Sequence, residues 1–389
     1  MNKLPAGWEI KKLKDVCTIQ DGIHKTPKYT SKGIKFVSVE NINDLYNNNK
    51  FISEEDYNKM YKIKAKKNDI FMTRIGDIGT PAILNKDEKL AYYVTLCLFT
   101  NIDEEVFNKY LYYAIQSNYF KKELYYRTLH VAFPKKINLG DIGDCKFILP
   151  PLDEQKRIAS ALSKIDAYLE NTIKLIEEKE RFKRGIAKKL LTCKEGENIP
   201  EARFKGFEDE WEETQILEFV NNNIIKIEKG KSITKSKIEE GDIPVIAGGK
   251  TPPYYHNKYD YNFPCITISA SGSAGYVWFH DYKIWASDCH VIYTDNKRYN
   301  IKFLYHYLKN IQDLIYYLQV GGVQKHVYAK DLIKLNIPNI TIEEQEKIGG
   351  YLSLLDEEID NLKKQKELIK EMKRGAMQKL LSGEVRLLE

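Results

Sequence analysis

Polar and apolar positions fall into two regimes that alternate twice along the chain. Between 158 and 176 the residues Ile158, Leu162, Ile165, Leu169, Ile173 and Ile176 recur at steps of three and four. Between 348 and 372 Ile348, Leu352, Leu355, Ile359, Leu362, Ile369 and Met372 do the same, with one step skipped. That spacing keeps apolar side chains on one stripe of an α-helix, the a/d seam of a coiled coil. Thr341 with Glu344 reads as a capping box for the second helix, and Asp153, after Pro150-Pro151, as the cap of the first. Elsewhere, short β-branched and aromatic runs at 34–39, 70–73 and 266–269, bounded by Gly, Asn and Asp, predict strands. Residues 107–117 and 301–318 predict helices whose Tyr and Leu face a core.

The second helical segment is a copy of the first. Residues 154–191 align without a gap to 344–381, at an offset of 190, with 15 of 38 positions identical. The identities include Glu154/Glu344, Gln155/Gln345, Leu162/Leu352, Asp166/Asp356 and the runs Lys183-Arg184-Gly185 and Lys373-Arg374-Gly375. Fainter echoes precede them: Trp8-Glu9 and Trp211-Glu212, Gly76/Gly79 and Gly272/Gly275, Tyr125-Tyr126 and Tyr316-Tyr317. The expected organisation is α+β, with two similar mixed α/β domains at 1–150 and 196–340 separated by long helices at 151–195 and 341–389. A 38-residue helix is roughly 57 Å long, and one with an apolar stripe needs a partner. Parallel helices would require the chain to return that distance through a domain of roughly 40 Å diameter. Antiparallel helices require no return, so the expectation is an antiparallel pair with a pseudo-two-fold internal repeat and the domains at its opposite ends.

Composition adds exclusions. The chain has 389 residues, 43% hydrophobic and 30% charged, with a formal charge of +6; no apolar run reaches the ~18 residues of a membrane span. The first residues lack the apolar core of a secretion signal, and the six cysteines, each at least 24 positions from the next, form no metal or redox spacing. A reduced, cytoplasmic protein is expected. By segment the charge is +6, +3, −1 and −2, too little to announce nucleic acid by itself. Catalytic motifs fail on inspection. Thr251-Pro252-Pro253-Tyr254 has Thr where an amino-methyltransferase loop needs Asn or Asp. Gly249-Lys250-Thr251 has Pro244 where a P-loop needs its first Gly. Ser271 lacks the flanking glycines of a nucleophile elbow. Asp288-Cys289-His290, inside a strand-like run, reads as buried structure. No catalytic residue and no metal site is expected.

Two similar, non-identical domains held by a rigid spacer suit the reading of two unlike half-sites. The sequence resembles the specificity subunit of type I restriction–modification systems over essentially its whole length. The resemblance is carried by Leu4-Pro5-Ala6-Gly7-Trp8, Leu13-Lys14-Asp15-Val16-Cys17, Gly22-Ile23-His24-Lys25-Thr26-Pro27, and Pro150-Pro151-Leu152-Asp153-Glu154-Gln155 with its weaker copy at 338–345. It implies a non-catalytic DNA-binding chain whose two target-recognition domains each read half of a bipartite, asymmetric duplex site. The helix pair would set the unread spacer. Partners implied are two modification (methyltransferase) subunits, which bind S-adenosylmethionine, and restriction/translocase subunits, which use ATP and Mg; no cofactor is expected on this chain. The competing readings are a coiled-coil scaffold binding proteins through its globular ends, and an enzyme fused to a dimerisation coil.

Base reading needs donors and acceptors, with Lys and Arg on phosphate. The candidates are His24, Lys25, Arg74, Arg127 and Lys135 in the first domain, and Lys231, Ser271, Ser273, Gln324, Lys325 and His326 in the second, the last three following Gly321-Gly322. Gly185 and Gly375, at one repeat position inside the helices, mark either close packing against a partner subunit or a helix break.

Overall fold

The two central strands of each domain are buried at nearly every position rather than at alternate ones, because each lies between two cores. The computed structural model, which describes residues 4–387, divides into two units, one formed by residues up to 172 together with 365 onward, the other by 173–364. The first unit contains β1 (Glu9–Lys12), β2 (Thr18–Asp21), β3 (Ile34–Val37), β4 (Phe51–Ile52), α1 (Glu54–Met60), β5 (Ile70–Ile75), β6 (Asp77–Ile83), β7 (Leu90–Tyr92), β8 (Leu96–Thr100), α2 (Asn108–Ile115), α3 (Asn118–Arg127), α4 (Leu139–Gly143) and β9 (Lys146–Leu149), then enters α5 (Leu152–Leu191). The sheets are an antiparallel β2-β8-β5-β6, a three-stranded β4-β3-β7 with β3 and β7 parallel, and the pair β1-β9. In β5 and β8, Ile70, Met72, Cys97 and Phe99 face a core with Trp8, Tyr110 and Phe120. Their neighbours Phe71, Leu96 and Leu98 face a second core with Phe36, Tyr57 and Tyr92, as a period of two demands.

The second unit repeats the plan. It contains β10 (Glu212–Gln215), α6 (Ile216–Asn221), β11 (Ile225–Lys229), β12 (Ile243–Ile246), β13 (Tyr254–His256), β14 (Cys265–Ser269), β15 (Val277–His280), β16 (Trp285–Ala286), β17 (Cys289–Thr294), α7 (Ile301–Asn310), α8 (Gln312–Tyr317), α9 (Ala329–Leu332) and β18 (Asn336–Asn339), then enters α10 (Ile342–Ser382). Its sheets are β11-β17-β14-β15, β13-β12-β16 with β12 and β16 parallel, and β10-β18. Strand for strand this is the first domain again. The single helix expected over 301–318 is divided at Ile311, which leaves helical geometry at ψ 22°.

Within each unit the long helices run antiparallel. In the first, Lys373 Nζ lies 2.6 Å from Asp166 and Gln365 bonds Tyr168. In the second, Lys179 meets Glu358 at 2.6 Å and Lys183 meets Asp356. As numbers rise along α5 they fall along α10. The seam is shared between two tasks. Ile158 and Leu162 belong to the first domain's core, with Ile165 packed against it, and Ile348, Leu352 and Leu355 belong to the second's. Ile176, Ile359 and Ile369 are buried outside those cores, while Leu169 and Leu362 are half-buried. Ile173 and Met372 are corrections, at 37% and 49% exposed. Strict heptad steps give their places to Thr172, which is buried, and to Lys373, which reaches Asp166.

The capping expectations also change. α5 begins at Leu152, so Asp153 lies inside its first turn, and Glu344 does not fold back on Thr341. Both helix-start glutamates are buried and hold the same kind of partners. Glu154 accepts from Trp8 Nε1 at 2.9 Å and from Arg386 Nη2 at 2.7 Å and Nε at 3.1 Å. Glu344 accepts from Arg203 Nε at 2.7 Å and Nη2 at 2.8 Å, and from Trp211 Nε1 at 3.4 Å. Burial would raise the Glu154 pKa, but Arg386 and Trp8 outweigh it and hold the carboxyl below its ordinary range. The next residue clamps the domain: Gln155 accepts from Phe107 N–H and donates to the Glu105 carbonyl, each at 2.8 Å. Gln345 accepts from Asn300 N–H at the start of α7, also at 2.8 Å.

About three turns further along each helix, a Ser and an Asp meet an aromatic ring of the domain. Tyr113 donates to Asp166 at 2.7 Å; in the second unit His306 bonds Ser353 at 3.1 Å, with Asp356 at 4.0 Å. Lys183 takes up the Asp356 charge, and burial pushes the His306 pKa down to about 3; burial does the same to His280, bonded to Thr267.

Two outcomes follow. Between about pH 6.5 and 3 the unfolded chain binds protons on His280 and His306 that the folded second unit refuses, so its stability falls as pH drops through that window, by on the order of 2 kcal/mol per histidine at pH 5. Melting curves at pH 7.5 and 5 should show this loss, and His306→Gln should remove part of it. Glu344→Gln, which leaves Arg203 without its buried partner, should cost the second unit about 3 kcal/mol in denaturant unfolding at neutral pH.

Candidate nucleic-acid interface

In each domain a short hairpin leaves the end of a helix and is tied back to the turn of the large sheet. After α3 the chain forms a bridge between Leu129 and Lys136. Ile137 N–H then donates to the Arg74 carbonyl at 3.1 Å, and Gly76 N–H to the Lys135 carbonyl at 2.8 Å. Gly76, at φ +83°, sits in a backbone region that favours glycine and turns β5 into β6 there. After α8, Val320 and His326 exchange two backbone bonds of 2.9 Å, and Val327 N–H donates to the Ala270 carbonyl at 3.0 Å.

A buried side chain braces each hairpin at its base. Arg74, 7% exposed, donates from Nε to the Ile137 carbonyl at 3.2 Å, and from Nη1 to the Val94 carbonyl at 3.0 Å and Asp21 at 3.1 Å. Arg74 is therefore corrected from a surface donor to a strut: its guanidinium is spent inside the domain. His290, 6% exposed, does the corresponding work in the second domain through Nε2, which lies 2.9 Å from the Val327 carbonyl.

The remaining candidates divide into grouped and paired residues. Asp21 gathers His24, whose Nε2 is 3.0 Å away, onto the same carboxylate as Arg74, and Lys25 beside it is exposed. Lys135 is exposed on the hairpin that Arg74 braces. Arg127, the last residue of α3 and two before Leu129 where the hairpin is bridged, is held by Glu123 at 2.9 Å. In the second domain Gln324 and Lys325 are exposed at the hairpin and His326 half-buried against Tyr328. Ser271 donates to Asp288, and Ser273 N–H donates to the Gly248 carbonyl at 2.6 Å, so that turn is internally organised. Exposed Lys231 is fixed through its carbonyl by Trp285 Nε1 at 2.9 Å. Asp288-Cys289-His290 is structural. Cys289 is fully buried, and burial drives its thiol pKa well up.

Gly185 and Gly375 lie within unbroken helices, which removes the helix-break reading, and a Cβ on either would meet nothing within 4 Å. The first unit also holds a cavity of about 1020 Å³ between the start of α3 and the last turns of α10, lined by Lys121, Lys122, Lys373 and Arg374 among others. Among the described residues no group of His, Cys, Asp and Glu could hold a metal ion, and no helix is long and apolar enough to cross a membrane.

Sequence reasoning passed over the partners of Glu154 and Glu344, because Arg386 and Arg203 lie outside the aligned repeat. It also passed over the hairpin tips. The gap-free offset of 190 extends back to them, setting Phe133 against Val323 and Lys135 against Lys325, a signal that was legible.

Comparison with known proteins gives the family and the fold. Residues 5–178 and 208–371 match the family described as Type I restriction modification DNA specificity domain. The chain is 29% identical, over all of its length and 96% of the relative's, to a putative type I restriction enzyme MjaX specificity subunit of Methanocaldococcus jannaschii. It is 30% identical to the MjaVIII specificity subunit of the same organism over 50% of this chain and 48% of that one. The fold matches the crystal structure of the type I restriction–modification S subunit from M. genitalium, with a TM-score of 0.67 at 18% identity, covering 98% of this chain and 97% of that one. A second solved chain, from a study of complex assembly and conformational transition of the type I system, aligns with a TM-score of 0.56 at 16% identity, over 99% and 100% of the two chains. The specificity subunit is the non-catalytic part of its enzyme, and the cofactors reside on the modification and restriction subunits. Two domains of one topology, each with a braced basic hairpin, in a chain matched by the specificity model along most of its length: this protein belongs to the DNA specificity subunits of type I restriction–modification systems.

Proposed function

We propose that residues 1–150 and 196–340 each read one half of a bipartite, asymmetric duplex sequence, and that the helical segments 151–195 and 341–389 set the unread gap. The observation that carries this reading is the pair of hairpins: one architecture, braced in both domains, presenting different side chains. Equal architecture gives equal approach to a duplex; unequal side chains give unequal half-sites. Lys25, Lys135, Lys231 and Lys325 act on phosphate, with His24, Gln324 and His326 beside them, and Arg74 acts by positioning the hairpin. Ser271 and Ser273 shape the turn that the second hairpin rests on, and Arg127 stands at the first hairpin's root. Cytoplasmic placement goes with a substrate of cellular DNA and with six cysteines that are all unpaired.

Docking of two modification subunits, with restriction/translocase subunits joining them, belongs to the same proposal. Gly185 and Gly375 support it: each costs its helix stability, and among the described residues nothing occupies the space a side chain would fill.

Three results test these points. Lys135→Ala and Lys325→Ala in the complex with modification subunits should each weaken binding of all duplexes and flatten the log K against log salt slope by about one. An unchanged slope would remove these lysines from the phosphate contact. Deleting the gene should abolish one gapped, asymmetric methyladenine motif in the methylome, and loss of no motif, or of a palindromic one, would sink the bipartite reading. Gly185→Ala should stabilise the free chain by about 1 kcal/mol while weakening assembly with the modification subunit; gain without loss would mean the glycine serves no partner.

A further inference from the structure

Phe133 and Val323 are the two most exposed apolar residues of the described chain, at 104% and 108%. They occupy the same repeat position, each two residues before an exposed lysine, Lys135 and Lys325. A single exposed hydrophobic residue is ordinary on a protein surface. Two at equivalent tips of hairpins that a buried Arg74 and a buried His290 hold in place are a different matter, because the bracing fixes where the exposed group points. The first tip also exposes Val131 at 99%.

The occupant must offer an apolar group next to negative charge, in a space that a narrow loop closed by one bridge can enter. The major groove, wide enough for a helix or a two-stranded ribbon, admits such a loop, and the only apolar group on its base edges is the thymine C5 methyl. The lysine two residues along from each tip is placed for the phosphates that flank the groove. We propose that Phe133 in the first domain and Val323 in the second are specificity-determining residues that recognise a thymine methyl group in their respective half-sites. This deepens the reading of the hairpins given above and rests on it. Phe and Val differ in reach, so the two tips contact methyl groups at different depths, which adds to the asymmetry of the site.

The test uses the complex with modification subunits. The wild-type complex first selects its site from a random duplex library. Each thymine of that site is then replaced by uracil, which removes the methyl and nothing else, and binding is measured by competition. Burying one methyl predicts about a fourfold loss at one thymine or more in each half-site. In Phe133→Ala the loss should vanish in one half-site and persist in the other; Val323→Ala should show the mirror pattern, and Phe133→Leu should restore most of the discrimination. Both positions are fully exposed, so thermal melting of the variants should match wild type, and a lowered melting temperature would assign the tips a structural role instead. Uracil scans without effect in wild type, or effects that survive both alanine variants, overturn the proposal while leaving the hairpin reading in place. Failure to enrich any sequence overturns both.

Discussion

The structure turns on a buried carboxylate at the first turn of each long helix. Glu154 and Glu344 are almost wholly out of water, and an unpaired charge there would be prohibitive. Each is satisfied by an indole N–H from the residue just before the strand that opens its domain and by a forked arginine contact. The free N–H groups of the helix start favour the negative charge as well. Because a forked guanidinium fits a carboxylate in one geometry, each fork fixes the start of one long helix against the segment that follows the other, Arg386 after α10 and Arg203 after α5. The following glutamine ties the helix to the start of an earlier helix of its domain, α2 or α7, through the backbone N–H groups of Phe107 and Asn300. A reading domain that could swing on its helix would smear the site it reads; these contacts remove that freedom.

Much of this was legible in the sequence, and the misses have causes. The repeat, the two long helices, their antiparallel sense within each unit and the mixed α/β domains all follow from spacing and apolarity, which are local properties. Ile173 and Met372 were misplaced because apolarity was given more weight than heptad phase; Thr172 and Lys373 hold the phase. Glu344 was read as a cap because a capping box is a local pattern, while its true partner, Arg203, is 141 positions away. Arg74 was read as a surface donor for the same reason. A buried arginine is recognisable only once Asp21, Val94 and Ile137 have been folded around it.

The two domains also show how a fold can be kept while its reading surface changes. The strand order of the large sheet, the parallel pair in the small sheet and the closing pair of strands recur. The brace does not: an arginine on β5 in one domain and a histidine on β17 in the other reach the same carbonyl, at Ile137 or Val327. What is preserved is the bonded carbonyl, and with it the path of the hairpin, rather than the residue that supplies the donor. Such freedom in the support explains why the repeat is faint within the domains and clear in the helices.

That division has an energetic logic. Along the helices a residue must serve its domain core, its partner helix and the anchors at once. Asp166 takes both Tyr113 and Lys373, and Asp356 faces both His306 and Lys183. A change at such a position breaks several contacts together, and coupled contacts do not fail additively. At a hairpin tip a side chain in open solvent touches nothing in its own chain, so replacing it costs the fold almost nothing. Sequence variation is therefore cheap where bases would be read and expensive where the readers are held, which is the distribution a protein needs if it is to change its address without losing its shape.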